Sequence, residues 1–265
     1  MIGNLFNSEP TINTPQVVAV AGTHGKTITS HLLAEILKKS GKNVGTILTN
    51  GTEFGGNYRN ENANDISRKQ VRELLSNMFH RGIEIAILEV TVENLRKGVY
   101  KGLTFDSAII TNIQGDLEGK LAWDQYADQL LKMLKQLKEN AVVIMNADEP
   151  DTRAWLQNNS EQIKQQIFVY WASSNNTYNH NFTLAGSKVE IGGIAPLESP
   201  ILGHFNLLNL YQAAKLALHY TSIQHVVDGL RNLNRPKGKL DKIYEHPFTV
   251  LLDHAQDPSH LWNAL

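Results

Sequence analysis

The segment VVAVAGTHGKTITS at residues 17–30 constrains the fold more than any other part of the chain. A β-branched apolar run passes through two glycines into a lysine and a threonine, then into a helical pattern that no proline interrupts. A buried strand feeding directly into a helix is the opening unit of a parallel sheet with crossover helices. Gly22 and Gly25 let backbone N–H groups turn toward an anion, and the helix that follows directs its positive end at the same place. In such a cradle Lys26 reaches the β- and γ-phosphates of a nucleotide, and the Thr27 hydroxyl meets the accompanying Mg²⁺. Thr23 and His24 complete the loop, with the His24 side chain expected to point outward. The widespread phosphate-loop pattern places a glycine where this chain has Val20, so the loop is a shorter variant in the same strand-to-helix context.

Beyond this unit, short apolar runs alternate with longer helical patterns. Strands are expected near 16–21, 43–49, 84–90, 106–112, 141–146 and 166–171, and helices near 26–40, 66–81, 122–139 and 150–160. The alternation predicts an α/β fold, a mostly parallel sheet with helices on both faces, whose ligands gather at the carboxyl ends of the strands. Residues 173–200 change character and read as a small antiparallel β insertion turning at Gly186-Ser187. Helices are expected at 205–219 and 222–232, then strands at 240–245 and 248–253 joined at His246-Pro247. The implied organisation is a loose arm over 1–15, one nucleotide-binding domain over 16–253, and the start of a hinge or further part over 254–265.

With 265 residues and 42% hydrophobic content the chain can bury a substantial core. Its 25 basic and 26 acidic residues nearly cancel, so no global field draws in nucleic acid or an anionic membrane, and an anionic ligand must be held locally. The absence of cysteine excludes disulfides, thiolate metal sites and a cysteine nucleophile, and a reducing cytoplasmic setting is expected. No stretch approaches the roughly 18 apolar residues that a membrane-spanning helix requires, nor does the N-terminus carry a cationic start and a long apolar run.

Among candidate functional residues, Glu89 ends the apolar run IEIAILEV, where a carboxylate either shares the Mg²⁺ with Thr27 or caps the next helix. Thr111, Asn112 and Asp116 end a second buried strand; they suit phosphate and metal contacts and equally suit an ordinary turn. Asn206 and Asn209 stand near a helix start, where a carboxamide presents donor and acceptor to a base such as adenine or else caps the helix. The N-A-D-E-P stretch at 146–150 reads as a structural turn, and the loose His254 and His260 pair forms no metal pattern.

Taken together, G-T-H-G-K-T, L-E-V at 88–90, T-N-I at 111–113, N-A-D-E-P, G-H-F-N-L-L-N and D-H-A-Q-D-P resemble the central ATP-binding domain of the Mur ligase family. The likeness is closest to the UDP-N-acetylmuramoyl-tripeptide synthetase branch and its cyanophycin synthetase-like relatives, and it spans about residues 16–265. The resemblance implies a phosphate-loop NTPase-like fold and ATP with Mg²⁺ as cofactors. It also implies activation of a carboxylate as an acyl phosphate that an amine then attacks, in peptidoglycan precursor synthesis. Carried over by position, Lys26 and Glu89 serve catalysis; Gly22, Thr23, His24, Gly25, Lys26, Thr27 and Asn112 hold the nucleotide phosphates. Asn206 and Asn209 then lie on the adenine side, Asp253 meets the nucleotide near the hinge, and Thr27, Glu89 and Glu93 bind metal. The carboxylate substrate is a UDP-sugar peptide or another acid.

Several positions depart from the family pattern. Glu93 stands where a histidine is usual, Leu117 follows Asp116 where another histidine is usual, and Lys239 and Gln256 replace an arginine and a histidine. Leu130, four residues after Tyr126, occupies the place of a lysine that many members carbamylate. Carboxylate suits Mg²⁺ better than imidazole does, so Glu93 stays a candidate ligand. The family's sugar-nucleotide and closing domains would have to come from the rest of a longer chain or from a partner protein. Two readings follow, an amide-forming ligase or its central domain, and a nucleotide-binding module of impaired catalysis that acts through a partner.

Overall fold

In the computed structural model, residues 13–60, 62–113, 123–146, 150–163, 166–170, 181–183, 186–189, 197–233 and 240–253 are described. The strand-to-helix unit forms as its residues require. β1 (Gln16–Ala21) is buried from Val17 onward, and α1 (Lys26–Lys39) starts directly after the Gly22–Gly25 turn. β2 (Val44–Leu48), β5 (Ile85–Glu89), β6 (Phe105–Ile110), β7 (Leu137–Asn146) and β8 (Gln166–Tyr170) lie parallel to β1, and β3 (Gly51–Phe54) and β4 (Asn57–Arg59) add an antiparallel edge. The resulting eight-stranded sheet has the order β4-β3-β2-β5-β1-β6-β7-β8.

Continuous apolar strands suit a sheet covered on both faces, and the period-2 alternation of β1 divides its residues between two cores. Val17, Ala19 and Ala21 pack with α2 (Arg68–His80), α4 (Trp123–Leu134) and Trp155 of α5 (Pro150–Asn159), while Val18 and Val20 pack with α1, α6 (His204–Tyr220) and α7 (Ile223–Arg231). The registers Val20↔Glu89 and Ala21↔Ile110 bring the carboxyl ends of β5, β1 and β6 side by side, which fixes where loops can converge on a ligand. A short α3 (Val92–Arg96), capped by Thr91, follows β5.

The expected α/β architecture is present, with differences in detail. The helical pattern anticipated to 139 ends at Leu134, and β7 starts at Leu137, which pairs with Phe105 and is buried; strand pairing there overrides the helix propensity of K-Q-L-K-E. The insertion is a three-stranded antiparallel sheet of β9 (Asn181–Thr183), β10 (Gly186–Val189) and β11 (Leu197–Ser199). Gly186 pairs with Thr183 and Ser187 with Phe182, so both belong to a strand and not to the expected turn. β12 (Asp241–Glu245) and β13 (Thr249–Leu252) form the expected final hairpin. The arm up to residue 12, Asp116, Leu117, residues 147–149 of N-A-D-E-P, Lys239, His254, Gln256 and His260 lie outside the described residues. No helix among the described residues is long and apolar enough to cross a membrane.

Candidate functional site

The loop between β1 and α1 is built from glycines because nothing larger fits. Gly25, the N-cap of α1, has φ 79°, a left-handed conformation, and a Cβ there would run into Asn209 Oδ1; a Cβ at Gly22 would run into Thr111 Oγ1. The loop is strapped to the end of β6. Asn112 Oδ1 accepts from the amides of Thr23 and His24, each at 3.1 Å, and its Nδ2 donates to the His24 carbonyl at 3.1 Å. Thr111 Oγ1 donates toward the same carbonyl and that of Ala21. These contacts make Asn112 a brace for the cradle, a role that the ambiguity between turn and ligand left open in sequence. His24 as a whole is half-buried and its Nε2 lies out of reach of solvent, so that atom does not face outward as expected.

Lys26 folds over the loop, its Nζ donating to the carbonyls of Gly22 at 2.9 Å and Thr23 at 3.0 Å. The residue as a whole is half-buried, but its ammonium is surrounded by protein, which lowers its pKa from the ordinary lysine value, while the nearby Glu89 charge opposes that shift. Since no side chain caps α1, its first-turn amides keep their donors for an anion.

Glu89 is buried at the end of β5, and three donors meet its carboxylate. The Thr27 hydroxyl lies 2.9 and 3.1 Å from its two oxygens, and the Thr49 amide and hydroxyl each donate to Oε2 at 3.0 Å. Thr49, at the turn after β2, was not identified from sequence, because a threonine beside Asn50-Gly51 reads as turn chemistry. The cluster of one carboxylate and two hydroxyls is a set of hard oxygens suited to Mg²⁺, with room in an octahedral shell for phosphate and water ligands.

Glu93 is an exposed residue of α3 that pairs with Lys97 at 2.9 Å. Among the described residues no three His, Cys, Asp or Glu side chains converge as a metal site. Leu130 is fully buried in the apolar core beneath α4.

On the other side of the loop, α6 presents a stripe of buried carboxamides. Asn209 Oδ1 accepts from Thr29 Oγ1 at 3.2 Å and abuts Gly25; Gln212 Nε2 donates to the carbonyls of Ile110 and Thr111 at 3.0 and 3.3 Å. Asn206 Nδ2 donates to the Leu202 carbonyl at 2.7 Å, and its buried Oδ1 has no partner. Gly203, not Asn206, caps α6. Asp253 accepts from the Leu240 amide at 2.8 Å and so ties the ends of the β12–β13 hairpin together.

Beyond α3, a cavity of about 500 Å³ opens between the start of α2 and residues 97–101, with Arg68, Lys97 and Lys101 in its walls beside Asp65. Tyr100 and Asn94 connect this flank to the site, Tyr100 Oη donating to the Glu89 carbonyl at 3.2 Å and Asn94 Nδ2 donating to the Ala63 carbonyl.

The model of one protein family, the Mur ligase middle domain, matches residues 20–217. The UDP-N-acetylmuramoyl-L-alanyl-D-glutamate–2,6-diaminopimelate ligase of Halalkalibacterium halodurans is 27% identical over 278 residues, covering 100% of this chain and 56% of its own length. A solved structure of a ligase with that same name superimposes with a TM-score of 0.81 at 23% identity, covering 94% of this chain and 53% of the other. An FPGS–AMPPCP complex superimposes with a TM-score of 0.72 at 17% identity, covering 94% and 70%. The chain thus spans about half the length of the curated relatives it matches.

Proposed function

The chain belongs to the Mur ligase family, and from that premise we propose that it binds Mg²⁺-ATP and forms the nucleotide-binding portion of an ATP-dependent, amide-forming ligase. The observation that carries this reading is the convergence of Lys26 with the Thr27, Thr49 and Glu89 oxygens at the mouth of the Gly22–Thr27 loop. Glycines with no room for a Cβ, uncapped first-turn amides and a nearby cation suit a polyphosphate, and the three hard-oxygen groups suit its Mg²⁺. The structural likeness to a protein complexed with AMPPCP, an ATP analogue, supports the same ligand.

Bound there, Mg²⁺-ATP would supply a terminal phosphoryl group to a carboxylate with release of ADP, and an amine would then displace phosphate from the acyl carbon to give an amide. The protein's part is positioning and charge neutralisation. Lys26 would meet the β- and γ-phosphates, Thr27, Thr49 and Glu89 would hold the metal, and Asn112 keeps the loop in shape. Asn206 and Asn209 are the candidates for the base side of the nucleotide, the buried Asn206 Oδ1 lacking a partner and the Asn209 Oδ1 accepting from Thr29. The cavity bearing Arg68, Lys97 and Lys101 suits an acidic acyl substrate of the UDP-sugar peptide class, as in the name of the bacterial relatives.

A second reading has its own support. Leu130 is buried where the resemblance expects a lysine, and Glu93 turns to Lys97, which favours a nucleotide-binding module that acts through a partner protein. ADP release separates the two readings. On the ligase reading, ADP appears only when UDP-N-acetylmuramoyl-L-alanyl-D-glutamate and 2,6-diaminopimelate are both present and disappears in Lys26→Ala. ATP binding without release under any such pairing, measured on the full-length protein, sinks the ligase reading in favour of the module.

A further inference from the structure

Among the described side chains of α4, Tyr126 places a polar atom in the interior beside the phosphate loop. Tyr126 is 4% exposed, whereas the other buried residues described on this helix, Ala127, Leu130, Met133 and Leu134, are apolar. Its hydroxyl lies against the Gly22 backbone and the Thr23 side chain, yet closes no well-formed hydrogen bond. A buried hydroxyl without a partner is costly, so its presence in a core position that phenylalanine would fill equally well calls for an explanation. The carbonyls of these same two residues, Gly22 and Thr23, hold the Lys26 ammonium. The unpartnered Tyr126 hydroxyl and the Lys26 ammonium therefore meet the same two residues, at the edge of the loop where lysine meets the β- and γ-phosphates.

We propose that the Tyr126 hydroxyl is a further binding group of this site, donating to the β,γ end of a nucleoside triphosphate, or to the Gly22–Thr23 edge when that ligand draws Lys26 away. The inference rests on the nucleotide-binding reading above. Burial raises the phenol pKa above its ordinary value, so the proton that makes it a donor is kept at neutral pH. The role differs from that of Asn112, which already braces the loop with three hydrogen bonds in the free protein. Tyr126 has little to lose until the ligand arrives.

The test compares wild type and Tyr126→Phe in titrations with ATP and with AMP in the presence of Mg²⁺, alongside thermal unfolding of the nucleotide-free proteins. Loss of one hydrogen bond to a charged group should weaken ATP binding roughly ten-fold. AMP, which lacks the β- and γ-phosphates, should bind both proteins alike, and the free variant should melt at the wild-type temperature or above. Equal ATP affinities overturn the proposal while leaving the nucleotide site intact. A lower melting temperature with parallel losses for ATP and AMP also overturns it, because that pattern marks simple packing support. If wild type itself binds no ATP, the nucleotide reading falls first and the proposal with it. Crystals of wild type grown with a non-hydrolysable ATP analogue give an independent result that requires no variant. A phosphate oxygen or loop acceptor within hydrogen-bond distance of the Tyr126 Oη is expected, and an Oη still without a partner contradicts the idea.

Discussion

Lys26 and Glu89 are linked by charge, and the sign of that link is testable. Burial lowers the Lys26 pKa and Glu89 partly restores it, so the ammonium that would bind phosphate is maintained by the carboxylate nearby. Affinity for a triphosphate should therefore fall as pH rises through the lowered Lys26 pKa. In Glu89→Gln the opposing charge is gone, and the fall should begin at lower pH. Dissociation constants for ATP measured across pH 6 to 10, an interval chosen around the range between neutral and the ordinary lysine value of about 10.4, read this directly. Coincident pH profiles for the two proteins would remove Glu89 from the account of Lys26. Folding follows the same linkage. A lysine whose folded pKa is lowered costs stability where it is charged, and that cost fades as pH climbs from its folded to its unfolded pKa. Sequence made Lys26, Thr27 and Glu89 legible because each stands at a fixed offset from a strand end. It left Thr49 unassigned and placed Asn112 at the nucleotide only through the family resemblance, since a hydroxyl or carboxamide after a strand serves a turn as readily as a ligand, and only packing of β2 and β6 against β1 and β5 brings them to the loop.

At the level of elements, long runs with one clear period were readable and short ones were not. The parallel strands β1, β5 and β6 and the helix α1 fall close to their expected bounds. β2 falls within the expected strand at 43–49, but the β3 and β4 strands that continue it into a meander were missed, although its turns carry the expected chemistry. Asn50 precedes Gly51 at the first, and Gly55 and Gly56, with φ 57° and 75°, form the second. Its strands of four and three residues are too short to show a period beside the apolar run of β2. α2 illustrates a readable start. Ser67 Oγ accepts from the Gln70 amide and Gln70 Oε1 accepts from the Ser67 amide, a capping box at the wall of the basic cavity. Ser67→Ala should cost about 1 kcal/mol of unfolding free energy, measurable as a shift of the urea midpoint with the slope unchanged. No shift in that midpoint would show that α2 is held by its buried face alone.

On the scale of the whole molecule, the sheet order gathers β5, β1 and β6 at the centre, and the groups of the nucleotide site that lie on neither α6 nor α4 end or follow one of these strands or β2. Helices cover both faces, and the carboxyl rim is the side left to loops, so ligand binding should stiffen the molecule where three strands and two helices meet. ATP at about 100 times its dissociation constant should stabilise the folded chain by about 2.7 kcal/mol. That stabilisation turns on the metal cluster as well as the loop. The most direct measurement is calorimetric titration of ATP into the chain with Mg²⁺ and again with a chelator, for wild type and for Lys26→Ala. Saturable binding that weakens on metal removal and vanishes in Lys26→Ala is the predicted result. Binding indifferent to both Mg²⁺ and Lys26, or none at all in wild type, would contradict a Mg²⁺-ATP site built on the Gly22–Thr27 loop.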